Sequence, residues 1–183
     1  IMKIIGTTNT VSSQDEINSR FLLPGEFFFG GSKCQIHTLL GSCIAITLWH
    51  PKLKIGGMCH FVLPSRRNSN EIFPAGYDYD GSYCDEVMML FEREALQRGT
   101  NLKDYVAKIF GGSNMLSNST LHEDASIGTQ NTKAAVNHLA ERGVSLLIAH
   151  VGEKGHRRIA FDLETGDVWV KHASLQKFIP DKL

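Results

Sequence analysis

Residues 37–64 read HTLLGSCIAITLWHPKLKIGGMCHFVLP. Two apolar runs, at residues 43–49 and 55–63, enclose the turn-prone sequence His-Pro-Lys-Leu at residues 50–53. This pattern predicts two antiparallel strands joined by a four-residue hairpin loop. The register matters for function, because a slip of one residue would move every side chain of a strand to the other face.

The predicted hairpin brings a cysteine and a histidine together. With residues 50–53 as the loop, Trp49 lies opposite Lys54, and Cys43 lies opposite His60. Directly opposed residues have Cβ atoms about 4.5–5.5 Å apart, so a hydrogen bond between the thiol and the imidazole is expected.

A thiol beside an imidazole is a nucleophile beside its base, which suits attack on an amide or ester carbonyl. We expect His60 to lower the pKa of the Cys43 thiol by stabilising the thiolate as an ion pair. The tetrahedral intermediate needs hydrogen-bond donors for its oxyanion. The backbone N–H groups of Gly41, Ser42 and Cys43 are the candidates, because glycine allows a tight turn and a close approach to a ligand.

The rest of the chain alternates between strand patterns and two helix patterns. We predict helices over residues 83–98 and 127–142, strands over residues 105–110 and 144–151, a strand at residues 27–29, and a hairpin of residues 157–161 and 167–171. The continuous apolar run at residues 144–151 is typical of a strand buried on both faces. These elements predict a layered α/β or α+β domain with a mixed β-sheet.

The composition indicates one globular domain over residues 1–183, with residues 1–20 loosely ordered. The chain is 42% apolar, and its 19 Lys and Arg residues balance its 19 Asp and Glu residues. This balance argues against nucleic acid or an anionic membrane as a partner. No apolar run approaches the roughly 18 residues of a membrane span, so no insertion into a membrane is expected.

The four cysteines lack the paired spacing of a zinc site, and no metal is expected. Residues 1–5 are too short for a secretion signal, which predicts a cytoplasmic, reducing location and free thiols. Cys59 falls on the apolar face of its strand and is expected in the core. Cys34 and Cys84 have no histidine placed beside them and are expected as packing or surface thiols.

Five segments resemble the chemoreceptor glutamine deamidase family, CheD. LLGSCIAITLWHP and GGMCHFVLP resemble two family motifs at the family's spacing, and AKIFGGSNML, SIGTQN and RRIAFDLETGDVWVK follow in the family's order. The resemblance extends roughly from Leu23 to Lys171. It implies hydrolysis of particular glutamine side chains on methyl-accepting chemotaxis receptors. It also implies an α/β fold, a layered sandwich with a mixed β-sheet like that of the bacterial toxin deamidases, and no cofactor.

The resemblance also implies a catalytic set of Cys, His and a Thr that orients the His. Cys43 and His60 match the family's Cys and His positions. Thr38 matches one form of the Thr position, five residues before the cysteine. On a straight strand, however, His37 and not Thr38 would share a face with Cys43, so His37 stays an alternative unless a bulge or turn at Gly41 resets the phase.

Two other hypotheses remain open from the sequence. The domain could be a regulatory module that binds receptors or a CheC-type phosphatase, with an inactive Cys–His pair, or it could be another thiol hydrolase. Residues 64–82 predict a long loop, in which Arg66 and Arg67 either attract acidic residues of the substrate or are solvated. Metal binding at residues 122–124 is not expected. Many relatives carry Asp at the position of His150 and Gly at that of Glu153, and this departure makes partner specificity uncertain.

Overall fold

A computed structural model describes residues 18–66, 72–114 and 126–173. In these ranges the chain forms nine β-strands and two α-helices. They are β1 Asn18–Phe21, β2 Phe27–Gly30, β3 Cys34–Leu40, β4 Ile44–His50, β5 Ile55–Cys59, α1 Cys84–Gln97, β6 Val106–Gly111, α2 Ile127–Glu141, β7 Ser145–Val151, β8 His156–Asp162 and β9 Val168–Ala173. A 3₁₀ turn, Leu102–Asp104, precedes β6.

The strands divide between two sheets. The four-stranded sheet has the order β1-β3-β8-β9, and the five-stranded sheet has the order β2-β5-β4-β6-β7. The pairs β1–β3 and β6–β7 are parallel and the other pairs are antiparallel, so both sheets are mixed. The α/β class with mixed β-structure is therefore confirmed, in the form of two sheets.

Two apolar clusters lie on the two faces of the five-stranded sheet. The helix-side cluster includes Ile46 of β4 and Phe91 of α1, and the inter-sheet cluster includes Ala45 of β4 and Ile36 of β3. Neighbouring β4 residues enter different clusters because side chains alternate between the faces of a strand. The molecule is thus layered as helices, five-stranded sheet and four-stranded sheet.

The β4–β5 hairpin forms, but its predicted register is wrong. His50 pairs with Ile55, so residues 51–54 make the loop. The N–H of Lys54 donates to the His50 carbonyl at 2.9 Å, and Lys54 adopts a φ of +52°. The His50 ring accepts bonds from two loop N–H groups, both at 3.3 Å. This turn keeps His50 in the strand and shifts every pair by two residues.

Both helices and the C-terminal hairpin are confirmed with small changes at their ends. Gly99 and Gly143 follow α1 and α2 at φ +69° and +66°, a left-handed conformation that suits glycine after a helix. The Oγ of Ser126 accepts a bond from the N–H of Thr129 at 3.2 Å and caps α2. Neither of these described helices is long and apolar enough to cross a membrane.

The prediction that residues 144–151 form a strand buried on both faces is wrong. β7 is the edge strand of the five-stranded sheet, and only β6 pairs with it among the described strands. Leu147 and Ile148 are 57% and 46% exposed. The apolar run therefore indicated a strand correctly but not its place in the sheet. Residues 18–20, within the segment expected to be loosely ordered, belong to β1, and residues 1–17 lie outside the described ranges.

Candidate active site

The turn Gly41–Ser42–Cys43 connects the two sheets. β3 ends at Leu40 in the four-stranded sheet, and β4 begins at Ile44 in the five-stranded sheet. Cys43 is partly exposed and packs against the inter-sheet cluster. The turn therefore places the thiol where the inter-sheet layer meets solvent.

His60 follows β5 directly and is a diagonal neighbour of Cys43. Ile44 and Phe61 exchange two backbone hydrogen bonds of 3.1 and 3.0 Å, which sets the pairing beyond β5. The prediction that Cys43 lies directly opposite His60 is therefore wrong. Diagonal neighbours are about 7–8 Å apart between backbones, still within reach of longer side chains. A two-residue shift keeps both side chains on the predicted common face.

Thr38 contacts the ring of His60. Its Oγ1 lies 2.8 Å from Nδ1 of His60 and donates to the Leu22 carbonyl at 2.7 Å. Since the hydroxyl has one proton and gives it to Leu22, Nδ1 of His60 must carry the proton of their bond. Nε2 then holds the free lone pair. It is buried and has no hydrogen-bond partner among the described residues.

The structure favours Thr38 over His37 as the partner of His60. Buried and outward side chains alternate along β3, and Thr38 is fully buried between the sheets. His37 lies on the outer face, where it lines a hollow of about 280 Å³ with Ser19, Phe21 and Arg158. The turn at residues 41–43 resets the alternation because β3 and β4 belong to different sheets.

Neighbouring backbone also holds His60 in place. Its N–H donates to the Glu26 carbonyl at 3.0 Å, and its own carbonyl accepts from the N–H of Gly25 at 2.7 Å. The Glu26 carboxylate closes the same turn by accepting from the N–H of Leu23 at 2.7 Å. The segment from Leu22 to Glu26 thus supports the histidine backbone and the Thr38 hydroxyl together.

The electrostatics favour a neutral pair over an ion pair. Burial raises the pKa of the Cys43 thiol above its usual 9.0, against a smaller lowering effect of the residue's own backbone N–H. Burial lowers the pKa of His60 below its usual 6.5, while the Leu22 carbonyl and the Glu26 carboxylate act in the opposite direction. The expectation of a lowered thiol pKa is therefore wrong, and near neutral pH the site holds a thiol and a neutral imidazole.

Donors from distant segments bind the three carbonyls of the turn. The N–H of Ser113 donates to Gly41 at 2.8 Å, Nδ2 of Asn131 to Ser42 at 3.2 Å, and the N–H of Gly112 to Cys43 at 2.9 Å. The backbone N–H groups of Gly41, Ser42 and Cys43 donate no hydrogen bond to any other described residue. These are the N–H groups predicted to bind an oxyanion.

Gly111 and Gly112 form a tight turn against the backbone of Cys43. Their φ angles are +112° and +64°, in the region that glycine enters without strain. A Cβ at Gly111 would lie 2.1 Å from the Cys43 carbonyl oxygen. Only glycine at position 111 therefore leaves room for the hydrogen bond between the Gly112 N–H and the Cys43 carbonyl.

Sequence reasoning assigned no role to Asn131 or to the turn 111–113. Both were inside segments that carried the family resemblance, SIGTQN and AKIFGGSNML, but neither has a residue type that signals catalysis. Asn131 is fully buried on α2, and its Nδ2 also donates to the Val62 carbonyl at 2.7 Å. Its Oδ1 has no partner among the described residues.

The remaining residues singled out in the sequence lie away from the Cys43–His60 site or outside the described ranges. Arg66 is exposed to solvent, and it pairs with Asp80 at 2.5 Å and with the buried carboxylate of Glu86 at 3.1 Å. Arg67 and residues 122–124 lie outside the described residues. Cys59 is confirmed in the core, and Cys34 and Cys84 are buried free thiols. No group of three or more His, Cys, Asp or Glu side chains in the described ranges is placed to hold a metal ion.

Comparison with known proteins gives the family. Residues 62–172 match the family described as CheD chemotactic sensory transduction. The "Probable chemoreceptor glutamine deamidase CheD 3" of Dechloromonas aromatica (strain RCB) is 42% identical over 159 residues, 87% of this chain and 90% of the relative. This chain belongs to the CheD family.

Similarity extends to relatives from other bacteria. The "Probable chemoreceptor glutamine deamidase CheD" of Pseudomonas fluorescens (strain SBW25) is 40% identical over 174 residues, 93% of this chain and 88% of the relative. A relative with the same description, numbered CheD 1, from Leptospira interrogans (serogroup Icterohaemorrhagiae, serovar copenhageni, strain Fiocruz L1-130) is 33% identical over 162 residues, 86% of this chain and 94% of the relative. The family resemblance predicted from the sequence is confirmed.

Proposed function

We propose that this protein is a cytoplasmic protein-glutamine deamidase that converts particular glutamine side chains of methyl-accepting chemotaxis receptors to glutamate. The names of its relatives support the reaction and the substrate class. The observation that carries the proposal is the hydrogen bond between Thr38 and Nδ1 of His60, which leaves Nε2 as a buried, unprotonated base. Such a base is the group that a neutral thiol needs for attack on an amide.

The proposed reaction starts when Cys43 Sγ attacks the carbonyl carbon of the glutamine side chain. Nε2 of His60 removes the thiol proton, and the N–H groups of Ser42 and Cys43 bind the oxyanion. The intermediate collapses to a thioester, and His60 returns the proton to the departing nitrogen, which leaves as ammonia. Water, deprotonated by His60, then hydrolyses the thioester, releases glutamate and restores the thiol. The balance is one amide and one water to one acid and one ammonia, with no cofactor.

A protein surface suits this site better than a free amino acid does. Leu23 lies on the segment that supports His60 and is 58% exposed, and Leu63 follows Val62 and is 36% exposed. Apolar side chains at the rim of a site suit contact with a macromolecular partner. Glutamine within a protein also needs no anchor for free amino and carboxyl groups.

The test is ammonia release with peptide mass mapping, on a cytoplasmic receptor fragment from the same genome. We expect conversion of glutamine to glutamate by the wild type, and a loss of at least about 10³-fold in Cys43→Ala. The matched control is Cys34→Ala, which removes a buried free thiol from the same inter-sheet cluster and should retain activity. No conversion by folded wild type would favour the regulatory alternative, in which the domain binds receptors or a CheC-type phosphatase and Cys43 is dispensable.

A further inference from the structure

Residues of other segments fix the orientation of the peptide planes in the turn 41–43. The described peptide bonds are all trans. In a trans peptide the C=O and N–H groups point in opposite directions. Ser113 binds the Gly41 carbonyl and Asn131 binds the Ser42 carbonyl. These two bonds therefore direct the N–H groups of Ser42 and Cys43 away from α2 and from the end of β6.

The N–H of Cys43 belongs to the same residue as the thiol, and it lowers the thiol pKa against the larger effect of burial. An oxyanion formed by attack of Sγ on a carbonyl would arise beside the same N–H group. The orientation of the Ser42–Cys43 peptide therefore decides whether this donor reaches the oxyanion.

Asn131 is the side chain that holds this peptide. Its Nδ2 donates to Ser42 at 3.2 Å and to Val62 at 2.7 Å, two residues after His60. Both neighbours are carbonyl acceptors, so the NH₂ group must face them and the orientation of the amide is determined. One NH₂ group thus spans the segment of the nucleophile and the segment of the base.

The other end of the amide indicates why an asparagine is present. Oδ1 is buried and has no partner in the described part of the chain. A buried acceptor without a donor costs stability. The favourable interactions of Asn131 are therefore the two hydrogen bonds that Nδ2 donates, whereas the unpaired Oδ1 is unfavourable.

From these contacts we infer that Asn131 is a positioning residue of the deamidase site. It holds the Ser42–Cys43 peptide so that the Cys43 N–H faces the developing oxyanion, and it sets the spacing of that peptide from the His60 segment. The inference rests on the proposed function, because it assigns a role in the same reaction.

Two reactions of the same thiol separate this role from simple support of the fold. Acylation of Cys43 by p-nitrophenyl acetate passes through an oxyanion, whereas alkylation by iodoacetamide displaces iodide and needs no oxyanion donor. Both require an accessible, reactive Sγ. The ratio of the two rates therefore reports on the oxyanion donors alone.

The experiment measures both rates, and receptor deamidation, for wild type, Asn131→Ala and the isosteric Asn131→Asp. We expect acylation and deamidation to slow about 10- to 100-fold in both variants, while alkylation of Cys43 changes less than about twofold. The matched control is Asn137→Ala, which removes an exposed asparagine from the same helix and should leave every rate unchanged.

A parallel fall of acylation and alkylation in both variants would overturn the inference, as would new alkylation of the buried Cys59 and Cys84. Either result would make Asn131 a residue of the fold alone. Failure of the proposed function looks different, because wild type would then not deamidate the receptor fragment at all. The acylation-to-alkylation ratio would still decide the role of Asn131 in that case.

Discussion

Two polar clusters, each built around a fully buried side chain, lie on either side of the turn 111–113, and they differ in how far their hydrogen bonds are satisfied. In the site cluster, Nε2 of His60 and Oδ1 of Asn131 have no partner among the described residues. In the second cluster, the fully buried Arg157 donates to Nδ1 of His150 at 2.9 Å, to Oγ of Ser113 at 2.5 Å and to the Gly152 carbonyl at 2.6 Å.

The difference separates a part of the molecule suited to chemistry from a part suited to stability. A buried polar group without a partner costs free energy, and one that persists beside a nucleophile is a candidate for a role in the reaction. A guanidinium with several acceptors is stabilising only while they remain in place. His150 and Glu153, the departures from the family pattern, both contact Arg157. They therefore belong to the satisfied cluster and not to the site.

Loss of the unpartnered base gives the largest expected effect. His60→Ala should reduce the rate of receptor deamidation by roughly 10²- to 10⁴-fold, because it removes the proposed general base and acid. His37→Ala is the matched control and should remain close to wild type, since His37 lies on the outer face. The measurement is initial ammonia release at saturating receptor fragment. Equal losses in the two variants would contradict the assignment of His60.

Substitution of Arg157, whose guanidinium has several acceptors, should lower the stability of the fold. Arg157→Leu leaves the buried Ser113 hydroxyl without its donor, whereas water can replace the guanidinium at the exposed His150 ring and the half-buried Gly152 carbonyl. A buried polar group left without a partner costs about 1–3 kcal/mol, so we expect the free energy of unfolding to fall by about that much, measured by urea denaturation. Arg158→Leu, one residue along and exposed, should stay within about 0.5 kcal/mol of wild type. Similar values for the two variants would mean that burial of Arg157 contributes nothing.

Removal of the Thr38 hydroxyl tests the orientation of His60. Thr38→Val keeps the shape but leaves Nδ1–H and the Leu22 carbonyl unpaired, so we expect deamidation to slow about 10- to 100-fold. Thr38→Ser retains the hydroxyl and should recover most of the rate. The comparison uses kcat and KM for both variants on one receptor fragment. Full activity in Thr38→Val would remove Thr38 from the site.

The dependence of kcat/KM on pH should show the smallest of these effects. His60 must be neutral to act as base, so kcat/KM should rise with pH along an acid limb whose midpoint is the lowered pKa of His60, below its usual 6.5. The raised pKa of Cys43 should place any basic limb above the usual 9.0 of a thiol. Glu26→Gln removes a charge that raises the pKa of His60, so the acid limb should move to lower pH. An acid limb above pH 6.5 would argue against the neutral pair.

Sequence patterns predicted the helices, the C-terminal hairpin and the placement of Cys43 and His60 on one face. The face on which a side chain lies depends only on whether its position along the strand is odd or even. A register error of two residues therefore did not change the predicted face of Cys43 or His60. Register itself depends on the loop conformation at Lys54 and on the His50 side chain, which a residue pattern does not specify. The strand β7 shows the same limit, because an apolar run indicates a strand without indicating whether it has one neighbour or two.

The sequence by itself determined the family, the fold class and the two residues of the candidate Cys–His pair, because composition, periodicity and motif spacing are local properties of the chain. Only the tertiary structure decided between Thr38 and His37, because the choice depends on the turn at which the chain leaves one sheet for the other. It also decided the tautomer of His60, the neutral state of the pair and the place of Asn131. Each of these depends on hydrogen bonds and burial between segments distant in sequence, and such contacts exist only after the layers have packed.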